Sequence, residues 1–416
     1  MQIRMKQMKV NLYSMLIGMI GIMPVMDSIS GALHESYPIG QLYRIIFFSY
    51  MLFLMAKNTR KNFLAFVGAF SLFVGIQIIV SAPGGYIIKS IQDTIKLFTP
   101  IFMIVLFQAL LKKEKVKESE IFRLLDLWSL LYPLLILIPS VLGLSRAAYG
   151  EAVGFKGFFY ATNEISFIVS SLVIYRFYVF SQKLSLKNLM LMILNTVCLL
   201  LMGTKTGYAS AAVGVLLFGV TILRTKNFNK KLKAFGILMV VVIGVILMWN
   251  RITAMTAGIF ERWFYQRQLS YSATDFLFSM RLRRLQNAFT TFFDGMYLLF
   301  GWGFGGELNG MENIEMDFID LLLETGIVGF VYVLAFYGRK AKNIMKNNLW
   351  SAWIILWSFA LSFGAGHVLF YGQSGMMLAL NIIYATLIPK AEKNGKVGEE
   401  NENVGIQSHS VYRYIQ

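Results

Sequence analysis

The chain has 416 residues, of which 56% are hydrophobic and 15% charged, and its mean hydropathy is +0.60. Soluble globular chains carry about 25% charged residues, and a helix crossing a bilayer needs roughly 20 apolar residues. The many such runs here exclude a soluble enzyme, a disordered chain and a nucleic-acid-binding domain; an outer-membrane barrel is excluded as well, because its alternating strands give no long apolar run. The net charge of +17 has to be sorted loop by loop, since cytoplasmic loops of membrane proteins are enriched in Lys and Arg.

Twelve apolar spans follow in chain order, at about 10–30, 39–56, 62–82, 94–111, 124–144, 161–180, 189–204, 207–223, 234–250, 317–337, 349–366 and 374–389. Every second connection is basic, as in Lys57–Lys61, Lys112–Lys117, Arg224–Lys233 and Arg339–Lys346. These connections, with the two termini, hold 27 of the 39 cations. The positive-inside rule then predicts two cytoplasmic termini and an even number of spans. The first span carries Pro24 and Asp27 without a small-residue cleavage site, so it reads as a span and not as a removable signal. The tail from about Lys390, with Glu399, Glu400 and Glu402, reads as a disordered cytoplasmic end. The single cysteine, Cys198, allows neither an intramolecular disulfide nor a thiolate metal cluster. Three histidines do not provide for a His-built metal site, and His34 and His367 are expected to be structural.

The reading is therefore an all-α integral membrane protein with about 12 transmembrane helices and one large external loop carrying amphipathic helices. Residues 1–250 form a membrane domain of about nine helices and residues 251–316 the external loop. Residues 317–389 add about three more helices, and 390–416 are the tail. Structureless loops beyond about 15 residues are uncommon, and this loop is too aromatic for disorder, with Trp263, Phe264, Tyr265, Phe289, Phe292, Phe293 and Trp302. Phe278, Leu282, Leu285, Phe289 and Phe292 recur at helical spacing, which predicts an amphipathic helix over 278–292 with its apolar stripe on lipid or on the bundle.

Three sets of residues invite chemistry. The cations of the loop are all arginine: Arg251, Arg262, Arg267, Arg281, Arg283 and Arg284. Arginine's planar fork fits phosphate oxygens in pairs. On a 278–292 helix Arg281 and Arg284 share a side and Arg283 points elsewhere. The plain alternative is headgroup anchoring. Lys205 sits in the tight turn Gly203-Thr204-Lys205-Thr206-Gly207, where a cation at a membrane boundary needs a partner; the alternative is a snorkelling lysine. The third set is Glu307, Glu312, Glu315, Asp317, Asp320 and Glu324, of which Asp317, Asp320 and Glu324 share one face of the tenth span. Intramembrane carboxylates are functional candidates, against pairing with nearby arginines for packing. The run Gly301-Trp302-Gly303-Phe304-Gly305-Gly306 matches G-x-G-x-x-G literally, but a dinucleotide site needs a βαβ unit around it; here it reads as a turn.

Four pieces stand in order in the second half: the turn Gly203 to Thr206 opening an apolar helix, Arg281-Leu282 followed by Leu285 and Ala288, the Gly-rich 301–305, and an acidic approach to Leu322-Leu323 with Gly326, Ile327 and Gly329. In this order and spacing the chain resembles the O-antigen ligase and polymerase superfamily of bacterial polysaccharide assembly. The resemblance covers roughly 200–335; the first half matches only as a run of membrane helices. Ligases of the superfamily carry a histidine where this chain has Glu315, and an arginine where it has Lys205. Both departures favour a polymerase.

The resemblance implies a glycosyltransferase of the bacterial cytoplasmic membrane acting on undecaprenyl-pyrophosphate-linked glycan at the outer leaflet, without cofactor or metal. A hydroxyl of the acceptor unit attacks the donor's anomeric carbon and undecaprenyl pyrophosphate leaves. Arg281 and Arg284, with Lys205, take the role of stabilising the pyrophosphate, and Glu315 or Asp317 that of the base. Membrane lipid, a chain-length regulator and a flippase are the implied partners, and nucleic acid is not. The alternatives are a ligase that transfers a finished glycan and a non-enzymatic transporter of the lipid-linked glycan. Against the transporter, no duplicated halves are visible.

Overall fold

The computed structural model describes residues 11–33, 39–149, 153–294, 297–311, 313–366 and 368–389. His34, His367, Glu312 and the tail from 390 lie outside the described residues. The chain runs through α1 (Leu12–Ala32), α2 (Ile39–Asn58), α3 (Arg60–Ser81), α4 (Ile87–Lys112) and α5 (Glu118–Val141), then a hairpin of β1 (Ala147–Tyr149) and β2 (Val153–Phe155). There follow α6 (Thr162–Gln182), α7 (Leu186–Leu201), α8 (Lys205–Arg224), α9 (Phe228–Leu247), α10 (Trp249–Leu269), α11 (Ala273–Leu277), α12 (Leu282–Asp294), α13 (Asp317–Ile344), α14 (Leu349–Ala365) and α15 (Gly372–Leu387).

Each segment predicted as a span holds a helix. Eight of these helices are long and apolar enough to cross a membrane: α1 to α6, α8 and α13. Helices α7, α14 and α15 have 16, 17 and 16 residues, about 24–26 Å at the α-helical rise, short of a hydrocarbon core of roughly 30 Å. Helix α9 has the length but opens with Lys230, Lys231 and Lys233. The protein is a nearly all-helical, multi-pass membrane protein.

Two helices form the centre. Helix α6 is buried along its length, from Glu164 to Ser181, and α15 from Gly372 to Ala385. Around α6 pack α5, α7, α8 and α14, and α15 joins it to α4 and α13. At the periphery, α3 and α9 leave Leu64, Leu72, Ile79, Val240 and Ile246 exposed, an apolar face that suits lipid. Two charge pairs lie within the bundle, where intramembrane charges need partners: Arg176 with Asp126 at 2.9 Å, and Arg44 with Asp27 at 2.8 Å.

Three sequence expectations are corrected. The all-α reading missed the antiparallel hairpin, which pairs Ala147 with Phe155 and Tyr149 with Val153; three-residue strands are too short to show a period. Helix α4 begins at Ile87, seven residues before the predicted 94, because its first turns carry Lys89, Asp93 and Lys96 and look polar in sequence. The predicted helix over 278–292 begins only at Leu282, since Ser279 and Met280 take left-handed φ values of 52° and 64°. Its apolar stripe lies on protein: Ala288 and Phe292 pack with Trp302, Ile314, Met316 and Leu323.

Helix α13 is broken near its start. Gly326 has φ 64° and ψ −174°. The break frees backbone groups, and the segment 298–303 meets them: Trp302 and Gly303 N–H donate to the Leu323 and Glu324 carbonyls at 3.0 Å each, while Ile327 and Val328 N–H donate to the Leu298 and Leu299 carbonyls at 2.9 and 3.2 Å. The Gly-rich run is thus a turn, as read, but one docked into a helix. A Cβ on Gly301 would sit 2.3 Å from the Glu324 carbonyl carbon. The loop is tied to the bundle by Tyr86 Oη donating to the Trp302 carbonyl at 2.8 Å and Phe304 N donating to Gln77 Oε1 at 3.0 Å.

Two alanine substitutions should separate strain from docking. Gly310 has φ 80° and open space around it, so Gly310→Ala should lose only the roughly 1–2 kcal/mol of a left-handed residue. Gly301→Ala adds a backbone clash to the same strain and displaces hydrogen bonds of about 1 kcal/mol each, so its loss should reach about 3 kcal/mol or more. Thermal melts in one detergent measure both; equal shifts would mean that the docking contributes nothing.

Candidate functional site

The site begins at the turn before α8. Gly203 takes φ 71°, and Thr204 caps the helix, its Oγ1 accepting from Gly207 N at 3.0 Å and sharing a hydrogen bond of 2.6 Å with Ser166 Oγ. The cap fixes Lys205 as the first residue of α8. The Lys205 ammonium donates to the Phe276 carbonyl, lies 3.4 Å from Ser279 Oγ and stands 3.7 Å from the centre of the Phe276 ring. It is therefore held by the large loop, and simple snorkelling does not describe it.

Helix α10 lies across this turn. Trp263 Nε1 donates to the Gly203 carbonyl at 3.3 Å, and Ile259 fills the space beside Gly203. Arg262 sits 3.2 Å over the ring of Tyr149, from the hairpin. Burial pushes the Tyr149 phenol up, against the pull of Arg262 and Arg281, and burial lowers Arg262. Arg262 and Arg281 are both close enough to repel Lys205. Among the described residues, Arg281 alone of these three crowded cations has a carboxylate partner, and such a group of cations attracts an anion.

The two left-handed residues before α12 aim Arg281 inward. Arg281 is buried; its Nη1 donates to the Gly364 carbonyl at 2.7 Å and its Nη2 to Glu315 Oε2 at 3.0 Å. Arg284 reaches the same segment, donating to the Asn313 carbonyl at 3.1 Å. Arg283 turns the other way, with its Nε 3.0 Å from Asp275 Oδ2, Nη2 2.7 Å from the Leu269 carbonyl, and its guanidinium 3.9 Å over Tyr271. Its hydrogen bond holds the Asp275 carboxyl below the usual value.

Glu315 occupies a strained position, with φ 61°. Asp320 holds it there. Its Oδ1 accepts from Ile314 N at 2.9 Å and its Oδ2 from Met316 N at 2.7 Å, on either side of Glu315. Hydrogen bonds to a charged group contribute about 1.5–3 kcal/mol each, enough to outweigh the roughly 1–2 kcal/mol of a left-handed residue. Gly366 crosses so close that a Cβ there would lie 2.1 Å from the Glu315 carbonyl oxygen. The carboxylate itself stays reachable, its side chain 38% exposed. Asp317 is different. It is 1% exposed, and its Oδ2 accepts from Ser362 Oγ at 2.7 Å, Val368 N at 2.8 Å and Leu369 N at 3.0 Å. It binds the end of α14 to the start of α13.

Of the residues singled out in the sequence, Lys205, Arg281 and Glu315 converge, with Arg284 at the neighbouring Asn313. Asp317 and Asp320 form the scaffold beneath them. Glu307 and Glu324 open onto a separate cavity with Lys89, Asp93 and Lys96, and Arg267 lies in a groove with Phe260, Trp263 and Phe276. Sequence reading missed Tyr149, for which no local signal exists, and the Lys89, Asp93 and Lys96 group, whose helical spacing at the start of α4 could have flagged it. Among the described residues, no three His, Cys, Asp or Glu side chains are grouped to hold a metal ion.

No curated protein matches the chain. The family model described as O-antigen ligase like membrane protein matches residues 9–275, which takes in α1 to α10 and the hairpin, including the first half that the motifs alone did not connect. With that match across more than half of its length, and with the Lys205 turn inside the matched region, the chain belongs to the family of O-antigen ligase like membrane proteins.

Proposed function

We propose that the protein polymerises undecaprenyl-pyrophosphate-linked oligosaccharide repeat units at the outer face of the bacterial cytoplasmic membrane. The observation that carries the reading is the Arg281–Glu315 contact of 3.0 Å, which puts a phosphate-type fork and a reachable carboxylate side by side within a group of cations. In this reading the twelve helices predicted from sequence all span the membrane, both termini are cytoplasmic, and residues 251–316 lie outside. Two basic connections meet at one end, where Lys113 Nζ donates to the Asn58 carbonyl at 2.6 Å.

The donor's pyrophosphate sits against Arg281, Arg284 and Lys205, with Arg262 beside them. An acceptor hydroxyl attacks the anomeric carbon, the bond from that carbon to the phosphate oxygen breaks, and the negative charge growing on the leaving pyrophosphate is met by cations already in place. Glu315 takes the hydroxyl proton. Arg281 now spends one arm of its fork on Glu315; a pyrophosphate drawing that arm away would leave the carboxylate free to act. Asp317, with one oxygen accepting three hydrogen bonds, serves as scaffold. Glu315 in place of a histidine and Lys205 in place of an arginine favour a polymerase over a ligase, which the same chemistry would also serve.

A single-turnover assay with purified protein and lipid-linked repeat units tests the reading, through release of undecaprenyl pyrophosphate together with a two-unit product. Arg281→Ala should slow turnover by about 10²–10³, as for other charge-stabilising donors, and lysine should restore little because it has no fork. Arg283→Ala should keep near-normal turnover. Its cost should appear in stability instead. The paired Asp275 has a depressed folded-state pKa, so the pair stabilises above the usual aspartate value of 3.8 and that contribution is lost as pH falls through the folded value. The stability gap between Arg283→Ala and the parent should therefore be present at neutral pH and close in acid. Equal turnover losses in both arginine variants would remove the special role of Arg281.

Glu315→Gln keeps the shape and removes the basic group. Turnover per folded molecule should fall by about 10²–10⁴ while lipid-linked substrate still binds. Normal turnover with a lowered melting temperature would instead reduce Glu315 to a packing partner of Arg281.

Topology is tested with Tyr265→Cys in a Cys198→Ser background. Tyr265 is exposed and Cys198 is buried. A membrane-impermeant thiol reagent should label position 265 from outside intact cells; labelling only from the cytoplasmic side would invert the arrangement.

A further inference from the structure

Pro24 lies inside α1 and has no N–H to give the Ile20 carbonyl four residues back. Trp128 of α5 meets that carbonyl instead, its Nε1 donating at 3.1 Å. The bond pins α1 to α5, and between the two helices runs a groove of about 460 Å³. Gly18, Gly21 and Val25 line it from α1, and Leu124, Leu127 and Leu131 from α5. A Cβ on Gly18 would meet nothing within 4 Å, so the groove is open there. Its lining on α5 extends from Glu120 to Leu131, about 16 Å at the helical rise. That is the depth of one leaflet, half of a hydrocarbon core of roughly 30 Å. At its polar end Glu120 and Arg123 also line a second cavity, of about 400 Å³, together with Glu114, Lys115, Lys117 and Ser119. The two spaces are therefore continuous. Between 112 and 123 the chain sets five cations against the three carboxylates of Glu114, Glu118 and Glu120. Glu120 is already engaged, its Oε2 accepting from Lys117 N at 2.7 Å. The Lys115 ammonium is not: among the described residues it makes no hydrogen bond or ion pair.

We propose that the two cavities form one binding site for an anionic phospholipid, with an acyl chain in the α1–α5 groove and the headgroup phosphate among Lys115, Lys117 and Arg123. An apolar slot one leaflet deep that ends in cations is complementary to such a lipid. Basic pockets between membrane helices take anionic headgroups by this chemistry. A soluble anion would leave the slot empty, and a zwitterionic lipid would bring a cation of its own against the lysines. Both cavities are of a size that takes a ligand segment. The Ser119 hydroxyl, on the first turn of α5, is a further donor for the headgroup. Placing the lipid in the inner leaflet rests on the topology proposed above, in which this end of the bundle, where Lys113 meets Asn58, is cytoplasmic. The site is separate from the arginine cluster and is built from the N-terminal part of the chain.

The test uses the full-length protein in detergent, titrated with phosphatidylglycerol or phosphatidylcholine of identical acyl chains, with bound lipid and oligomeric state read by native mass spectrometry. Phosphatidylglycerol should bind at least about tenfold more tightly than phosphatidylcholine. Replacing any one of Lys115, Lys117 and Arg123 by Gln should weaken phosphatidylglycerol about fivefold and leave phosphatidylcholine unchanged. Gly18→Leu probes the slot itself. Its side chain enters open space in a helix interior, so the lipid-free variant should melt no lower than the parent, yet it should lose the preference for phosphatidylglycerol. Glycerol phosphate, the headgroup anion without chains, should not compete. Equal binding of the two lipids by the parent, or a preference unmoved by both the charge variants and Gly18→Leu, would overturn the site. Full competition by glycerol phosphate would overturn the role of the groove. A lipid-free dimer that Gly18→Leu dissociates would assign the groove to a second copy of the chain. Binding is read on purified protein, whichever way it lies in the membrane. Labelling of position 265 from the wrong side would therefore move the lipid to the other leaflet and leave the site intact.

Discussion

Inside a bilayer no water is available to satisfy a free backbone amide or carbonyl, so a helix can be interrupted there only where other protein groups fill the gap. The break at Gly326 in α13 obeys this constraint, and much of the site depends on it. The segment 298–303 supplies both donors and acceptors to the opened turn, and only glycine at 301 lets the two backbones approach closely enough. Once docked, the loop holds Phe304 and Glu307 over the start of α4 and leaves Glu324 facing a cavity. The short stretch of α13 before the break becomes a platform of its own, tied to α14 through the Ser362 hydroxyl on Asp317 and to the 313–316 turn through Asp320.

That platform divides two electrostatic fields. Arg281, Arg284, Lys205 and Arg262 gather on one side and the carboxylates of the α4–α13 cavity on the other. Such fields would neutralise one another if the side chains could meet. They do not, because rigid elements hold them apart: the Thr204 cap fixes Lys205, the left-handed pair Ser279 and Met280 turns Arg281 inward, and Asp93 keeps Lys89 and Lys96 on its own side. Glu315 stands at the boundary in a backbone conformation that its neighbours impose. Strain of this kind persists only where the surroundings over-determine it.

Much of the helical architecture was legible in the sequence, and for a clear reason. Lipid demands long apolar runs, so the segments that became α1 to α9 and α13 to α15 announce themselves by composition. The amphipathic stripe of Phe278, Leu282, Leu285, Phe289 and Phe292 was legible for the same reason, since a half-buried helix must repeat its apolar residues every three or four positions. The opposed directions of Arg283 and Arg284 followed from that spacing. The start of the helix did not, because Ser279 and Met280 have no local preference for φ above zero; the Asp275 carbonyl and the packing of Phe278 set their conformation from outside. The hairpin, and with it Tyr149 under Arg262, left no trace that a period could reveal.

The sequence by itself determined that the protein lives in a membrane, where its helices run, and where its arginines and carboxylates stand along the chain, because apolar length and charge placement are local properties. Tertiary structure decided which of those residues meet. Asp317 and Glu315 are two positions apart and both carry a carboxyl group, yet one is buried under three donors and the other is held open beside Arg281. That difference arises from α14, the 366–369 segment and Asp320, and contacts between segments distant in the chain are not written in either residue's immediate neighbourhood.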